Sequence, residues 1–298
     1  MTPTPSAGGS TLRAMAMMLL ATVAFTAMHA MIRHTAQGLH PFEVAFFRNL
    51  FGLVFLAPIL FRFGIAPLRT RKLKVHVLRG ILNLISMLCF FYAVTIAPFA
   101  DVTALTFTAP IFASVLAFFV FREQVGIVRW SAIGIGFLGA LVILRPGFGE
   151  IGLGPILTVF SALLWAVAML VIKTLTRTES SLTITAYMMI ILAPMSFLAA
   201  LPVWSWPNPE QYLNLFVLAA LGTTGHLCLN QALKEGDTSL VSPVDYVRLV
   251  WAALIGYFAF GELPDAMTWT GAAMICGSAG FVAWYEGRRT RKSTREAG

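Results

Sequence analysis

The chain has 298 residues, of which 58% are hydrophobic and 11% charged, with a formal net charge of +8 and a mean hydropathy of +0.80. A soluble domain carries about 25% charged residues, so this composition excludes a water-soluble fold and makes the bilayer part of the solvent. The basic residues sit between and after apolar runs, which argues against a nucleic-acid partner.

A crossing helix needs roughly 20 apolar residues, and ten such spans are predicted. In chain order they are Ala14–Ile32, Glu43–Phe61, His76–Ala97, Val102–Phe121, Ile127–Leu144, Leu153–Lys173, Leu182–Pro202, Tyr212–Leu233, Leu240–Phe260 and Ala266–Tyr285. The tail 1–12, rich in Thr, Pro, Ser and Gly, is expected to be disordered. The first apolar run is long and lacks a small-residue cleavage site, so no secretory signal peptide is expected. Residues 287–298 form a basic tail, expected at the anionic cytoplasmic face. Cys89, Cys228 and Cys276 are scattered within spans and suggest neither a disulfide framework nor a metal site.

Lys and Arg set the orientation. With the N-terminus in the cytoplasm, 17 basic residues fall inside and two, Arg33 and Arg145, outside; Arg48 and Arg248 lie within spans. Both termini are therefore expected in the cytoplasm.

The two halves of the chain echo one another. Phe121, Glu123 and Trp130 recur as Phe260, Glu262 and Trp269 at an offset of 139, and Ile32-Arg33 recurs as Ile172-Lys173 at 140. Repeat 1 is expected over 13–145 and repeat 2 over 146–286, five spans each. An odd number of crossings inserts the second copy upside down. The expected fold is thus an all-α integral membrane protein with ten transmembrane helices, built as two inverted five-helix repeats around a central cavity. Carriers place their substrate site near the midplane of such an arrangement.

Charge within a span is the strongest pointer to a site, because it costs roughly 2.5–3.5 kcal/mol on insertion scales. Asp245 and Arg248 stand one turn apart in the ninth span, and their repeat counterparts are the uncharged Thr106 and Ala109. Ions present in one copy only are not demanded by the shared fold, which favours function: Arg248 for a carboxylate, Asp245 for an amine or a proton. The bland alternative is a salt bridge that neutralises itself. Tyr246 and Trp251 share that helix and Trp165 lies mid-span in the sixth; each either stacks on substrate or packs against neighbouring helices. Tyr187 answers Arg48 at offset 139, and Arg48 either lines the pathway or snorkels to the outer surface. Asn83 and Ser86 answer Gly222 and Gly225 and face either a cavity or another helix through hydrogen bonds. His226 and Asn230, at i and i+4, are further candidates. Arg79, at the start of the third span, reads better as an interfacial anchor than as a ligand. Pro110 and Pro243 lie in the corresponding fourth and ninth spans, where they serve as gating hinges or static kinks. Gly134, Gly136, Gly139, Ala272, Cys276 and Gly280 mark the fifth and tenth helices as closely packed scaffold.

Other signals fall away. Gly147-Phe148-Gly149-Glu150-Ile151-Gly152 fits a dinucleotide pattern with no preceding strand. His29, His34 and His40 read as histidines near the outer surface, without metal-ligand spacing, and neither a P-loop nor a catalytic constellation is evident. No cofactor is expected, the oligomeric state stays open, and a monomer is compatible with everything above.

Arg79-Gly80, Phe91-Tyr92-Ala93, Ala104 through Pro110, Glu123, Trp130 and Arg145-Pro146-Gly147 together resemble the EamA-type drug/metabolite transporter superfamily, with likeness from about Ala14 to Tyr285. The resemblance implies ten helices in two inverted halves and movement of small polar metabolites across a bacterial inner membrane. Among its branches the chain resembles most the bacterial amino-acid exporters, including those for aromatic amino acids; others take riboflavin, nucleobases or S-adenosylmethionine. One cation and one anion beside aromatic rings suit an amino acid, so the expectation is a secondary transporter of amino acids and related zwitterions, working by alternating access. Its rivals are a membrane-embedded lipid enzyme, for which no nucleophile or metal cluster is visible, and a structural membrane protein with a closed centre.

Overall fold

The computed structural model describes residues 7–64, 70–109, 111–113, 115–116, 127–144, 152–175, 178–235 and 242–296. Its helices are α1 (Ala7–Thr35), α2 (Pro41–Phe63), α3 (Leu73–Ile96), α4 (Phe99–Thr106), α5 (Ile127–Leu144), α6 (Leu153–Leu175), α7 (Ser181–Ala200), α8 (Pro209–Glu235), α9 (Val247–Phe260) and α10 (Ala266–Glu296). No strand occurs among the described residues. Six helices among them are long and apolar enough to cross a bilayer, and Phe99–Ala113 and Trp130–Leu144 form shorter apolar stretches. The protein is an all-α membrane protein. Its outward faces carry bare apolar side chains such as Phe258, Leu198 and Phe137, as lipid-facing surfaces require.

Local chemistry sets the helix ends. At α2, His40 accepts the Phe42 N–H at 3.3 Å and Glu43 accepts the His40 N–H at 2.9 Å, a reciprocal cap. Ser180 caps α7 through the Thr183 N–H at 3.0 Å, Asn208 caps α8 through Gln211 at 2.8 Å, and Asp265 caps α10 through Thr268 at 2.8 Å. Gly261 ends α9 with φ of 67°, the left-handed turn that glycine adopts without strain.

Four boundaries differ from those expected. Helix α1 reaches back to Ala7, into the stretch expected to lack structure, and α10 runs on to Glu296 through the basic tail. Helix α4 stops at Thr106 rather than continuing unbroken from Val102 to Phe121: Phe107 and Thr108 donate to Ala104 and Leu105, three residues back, which tightens the coil. A residue approaching a proline is pushed out of the α conformation, and Pro110 follows closely in the sequence. The ninth span opens as a 3-10 turn over Ser242–Tyr246, and the α-helix proper begins at Val247. Pro110 itself, Glu123 and Arg145 lie outside the described residues, as do the side chains of Pro243 and Asn230.

The helices pack in a regular scheme: α1 on α8, α2 on α7, α3 on α6, α4 on α9 and α5 on α10. Replacing each helix by the one five places along turns α1–α8 into α6–α3, and α4–α6 into α9–α1; all of these pairs are in contact. Two cores result. One joins α1, α2, α3 and α8 through Phe25, Phe47, Phe91 and Leu218; the other joins α4, α5, α9 and α10 through Leu105, Ile143, Leu249 and Ile275. The α5–α10 seam depends on missing side chains: a Cβ on Gly139 would lie 2.7 Å from the Gly271 carbonyl, and one on Gly271 2.5 Å from the Gly139 carbonyl. The scaffold expectation holds for Gly139 and Gly136, but Gly134 faces open space, and Gly280 makes room for Tyr246 instead.

Candidate functional site

Helix α9 meets α4 at repeat counterparts. Phe107 and Tyr246, 139 positions apart, face edge to face with ring centroids 5.1 Å apart. Counterparts touch only where an axis relating two copies passes, so this contact marks the centre of the pairing scheme. Asp245 and Arg248 sit beside it. The Arg248 guanidinium donates to the Asp245 carboxylate at 2.8 Å and lies 5.1 Å over the Phe107 ring. The side chains are 18% and 27% exposed, Arg248 first. The pair is therefore formed, partly open, and electrically neutral as a unit. Arg248 Nε is buried with no acceptor among the described residues, so the group holds a donor in reserve.

The other expected residues separate into two groups. Ser86 is absorbed into the scaffold: its Oγ donates to the Ser161 carbonyl at 2.9 Å while Ser161 Oγ donates back to the Ser86 carbonyl at 2.8 Å, clasping α3 to α6. Trp251 Nε1 donates to Thr22 Oγ1 of α1 at 3.2 Å, which spends its polar edge on packing. Tyr187 stacks on His76 at 4.6 Å, far from α9 in the chain scheme. For these three the packing alternative is the one the geometry displays. Asn83 is buried but makes no hydrogen bond among the described residues, and half-buried Trp165 has no ring contact or hydrogen bond there either. The His226 ring sits 5.0 Å from Phe25, edge on, and is otherwise unpaired among the described residues. Asn83, Trp165 and His226 thus keep polar or aromatic capacity unspent.

The surroundings of three further arginines are defined. Arg48 does not snorkel; it is 7% exposed and lies against the bare backbone of Gly222, where a Cβ would come within 3.4 Å of its Nε. Arg79 is not an interfacial anchor, being 6% exposed and donating to the Ile184 carbonyl of α7 at 2.8 Å. Arg33 and Glu262 form an ion pair at 2.5 Å. Glu262 also accepts the Phe99 N–H at the start of α4 at 2.8 Å, and Arg33 donates to the Ala97 carbonyl at 3.1 Å while covering the Phe260 ring at 4.6 Å. This cluster locks the end of α9 to α1 and to the α3–α4 junction. The recurring Phe-x-Glu landmark was its sequence signal, though its partner was not readable. The half-buried His29 lies with its ring 4.6 Å from that of Phe90 on α3. The sequence reading missed two further groups. Phe107 carried a signal in its offset from Tyr246, whereas Glu43, buried and accepting Ser205 N–H at 2.6 Å, looked like an ordinary helix-start acid. No cluster of His, Cys, Asp or Glu among the described residues is suited to a metal ion.

Chemically, the interior offers a formed ion pair, arginine without a carboxylate among the described residues, histidine and amide groups, and aromatic faces.

Known proteins place the chain. The sequence pattern of the EamA-like transporter family matches residues 12–145 and again 152–284. The S-adenosylmethionine uptake transporter of Rickettsia prowazekii (strain Madrid E) is 32% identical over 279 residues, covering 94% of this chain and 95% of that one. The riboflavin transporter of Vibrio cholerae serotype O1 is 32% identical, covering 94% of each. A solved crystal structure of a protein superposes with a TM-score of 0.63 at 19% identity, covering 96% of this chain and 99% of that one, a likeness of fold. The chain belongs to the EamA-like transporter family of the drug/metabolite transporter superfamily and is a multi-pass membrane transporter, not an enzyme.

Proposed function

We propose that the chain moves a small metabolite across the bacterial inner membrane by alternating access between two inverted halves, with both termini cytoplasmic, and that this metabolite joins an amino-acid head to a nitrogen heterocycle, as S-adenosylmethionine does. The observation that carries the reading is the part-open Asp245–Arg248 pair at 2.8 Å beside Phe107 and Tyr246. An ammonium can approach the part-open carboxylate of such a pair without separating it, and a flat ring can stack on the aromatic faces beside it. The names of the similar proteins support the heterocycle: adenine and the flavin ring system are both flat and nitrogen-rich. The S-adenosylmethionine uptake transporters among them favour a larger molecule that contains an amino acid over free amino acids. The helix pairing scheme and the double family match support the inverted halves.

A second reading, riboflavin, is favoured by one observation. Arg48 and Arg79 have no carboxylate partner among the described residues, so the interior holds more positive than negative charge and suits a neutral cargo better than a net cation. Purified protein in vesicles, given labelled S-adenosylmethionine, riboflavin and a panel of amino acids, separates the readings. Saturable S-adenosylmethionine flux above protein-free vesicles is expected. Riboflavin flux without it moves the cargo to the second reading; flux of free amino acids alone returns it to the simplest zwitterions.

A further inference from the structure

Arg48 is a cation enclosed by protein, yet almost none of its hydrogen-bonding capacity is used. It sits in α2, 7% exposed. A guanidinium has five donors, and among the described residues its one acceptor is the neutral Asn49 Oδ1 at 2.9 Å. No carboxylate of the described residues approaches it. Each other arginine with a described contact in the interior is better satisfied: Arg248 holds Asp245, Arg33 holds Glu262, and Arg79 has the Ile184 carbonyl and Met188 Sδ. A charge at membrane depth without a counter-ion is costly, so its retention calls for a counter-ion that arrives from elsewhere. Gly222 of α8 packs its backbone against this side chain: a Cβ there would meet Met28 Sδ at 2.6 Å and Arg48 Nε at 3.4 Å. His226, whose ring meets Phe25, lies one turn further along α8.

We infer that Arg48 is the subsite for the carboxylate of the transported molecule. This assignment rests on the transport reading above and deepens it. It reverses the simplest sequence expectation, in which Arg248 takes the carboxylate. Arg248 already holds a carboxylate, whereas Arg48 holds none among the described residues and gains a counter-ion without giving one up. A carboxylate accepts two parallel N–H bonds from a guanidinium, and such charged bonds are about twice as strong as neutral ones.

The test uses the full-length protein in lipid nanodiscs and measures equilibrium binding of probe pairs that differ by the carboxylate alone. The pairs are S-adenosylmethionine with its decarboxylated form, and methionine with 3-(methylthio)propylamine. In the wild type the carboxylate member of a pair should bind at least about tenfold tighter. Arg48→Gln should collapse that preference to about threefold or less, and Arg48→Lys should keep part of it. Two outcomes overturn the assignment. One is equal or absent binding of both members in both pairs in the wild type, a measurement that needs no variant to fold. The other is an undiminished preference in a monodisperse Arg48→Gln protein. A preference confined to the methionine pair would uphold Arg48 while sinking the S-adenosylmethionine reading, so the two ideas fail separately.

Discussion

The Asp245–Arg248 pair shows how one residue's role depends on what its neighbour has already done. The two groups satisfy each other at 2.8 Å, so loss of either leaves the other uncompensated. Asp245→Asn keeps the shape and removes the charge. Because both side chains are partly open, the destabilisation should fall below the roughly 3–5 kcal/mol seen when a sealed pair is broken, at about 1–2 kcal/mol. Transport should fall further, by more than about tenfold. Arg248→Gln should likewise fold and lose flux. The double variant should recover most of the melting temperature of the detergent-solubilised protein without recovering transport. Recovery of both would reduce the pair to a structural salt bridge. Ser86 teaches the opposite lesson: a polar residue at a promising position is consumed by the reciprocal bonds to Ser161.

At the level of helices, two junctions carry the architecture. Glu262 ends the α9 segment and serves three partners at once: the Arg33 guanidinium, the Phe99 N–H of α4 and, through its own N–H, the Gly256 carbonyl at 2.9 Å. Glu262→Gln removes the ion pair and weakens the helix cap, at a cost of about 1–2 kcal/mol. It should lower the melting temperature and speed the reaction of a cysteine placed at Phe99 with a water-soluble thiol reagent. An unchanged melting curve would show that the cluster is not a fastening. The α5–α10 seam is steric. Gly139→Leu drives a side chain into the Gly271 carbonyl, which a Cβ alone would approach to 2.7 Å, and should cost about 1–3 kcal/mol from overpacking. Gly134→Leu, facing open space, is the matched control and should melt like the wild type.

For the whole molecule the decisive quantity is which way each half enters the membrane. The basic bias of 17 to 2 favours cytoplasmic termini, and the pairing of α1 with α8 and of α3 with α6 repeats one scheme in the two halves. Reporter fusions at both ends should therefore report the cytoplasm. An externally placed carboxyl end would mean an odd number of crossings and would remove the inverted relation. The pairing scheme also explains where the polar region sits. Helices α4 and α9 touch at their own counterparts, Phe107 and Tyr246, so the charge placed in one copy only, at Asp245 and Arg248, lies beside that contact.

Much of this was legible in the chain before any folding was considered. Apolar length alone marks α5 from Ile127 to Leu144 and the start of α6 at Leu153, because a helix in lipid must satisfy its backbone internally and so advertises itself as a run. The recurring landmarks, the membrane class and the charged turn of the ninth span are likewise local features. Tertiary structure decided what became of the polar groups. Arg48 looked free to reach the surface until Gly222 of α8 closed over it; Arg33 found Glu262 229 residues away; Ser86 found Ser161 75 residues away. Hydropathy periodicity states which face of a helix is apolar, not which other helix will cover it. A hydrogen bond or ion pair between distant segments depends on angles and depths that exist only after the helices have packed.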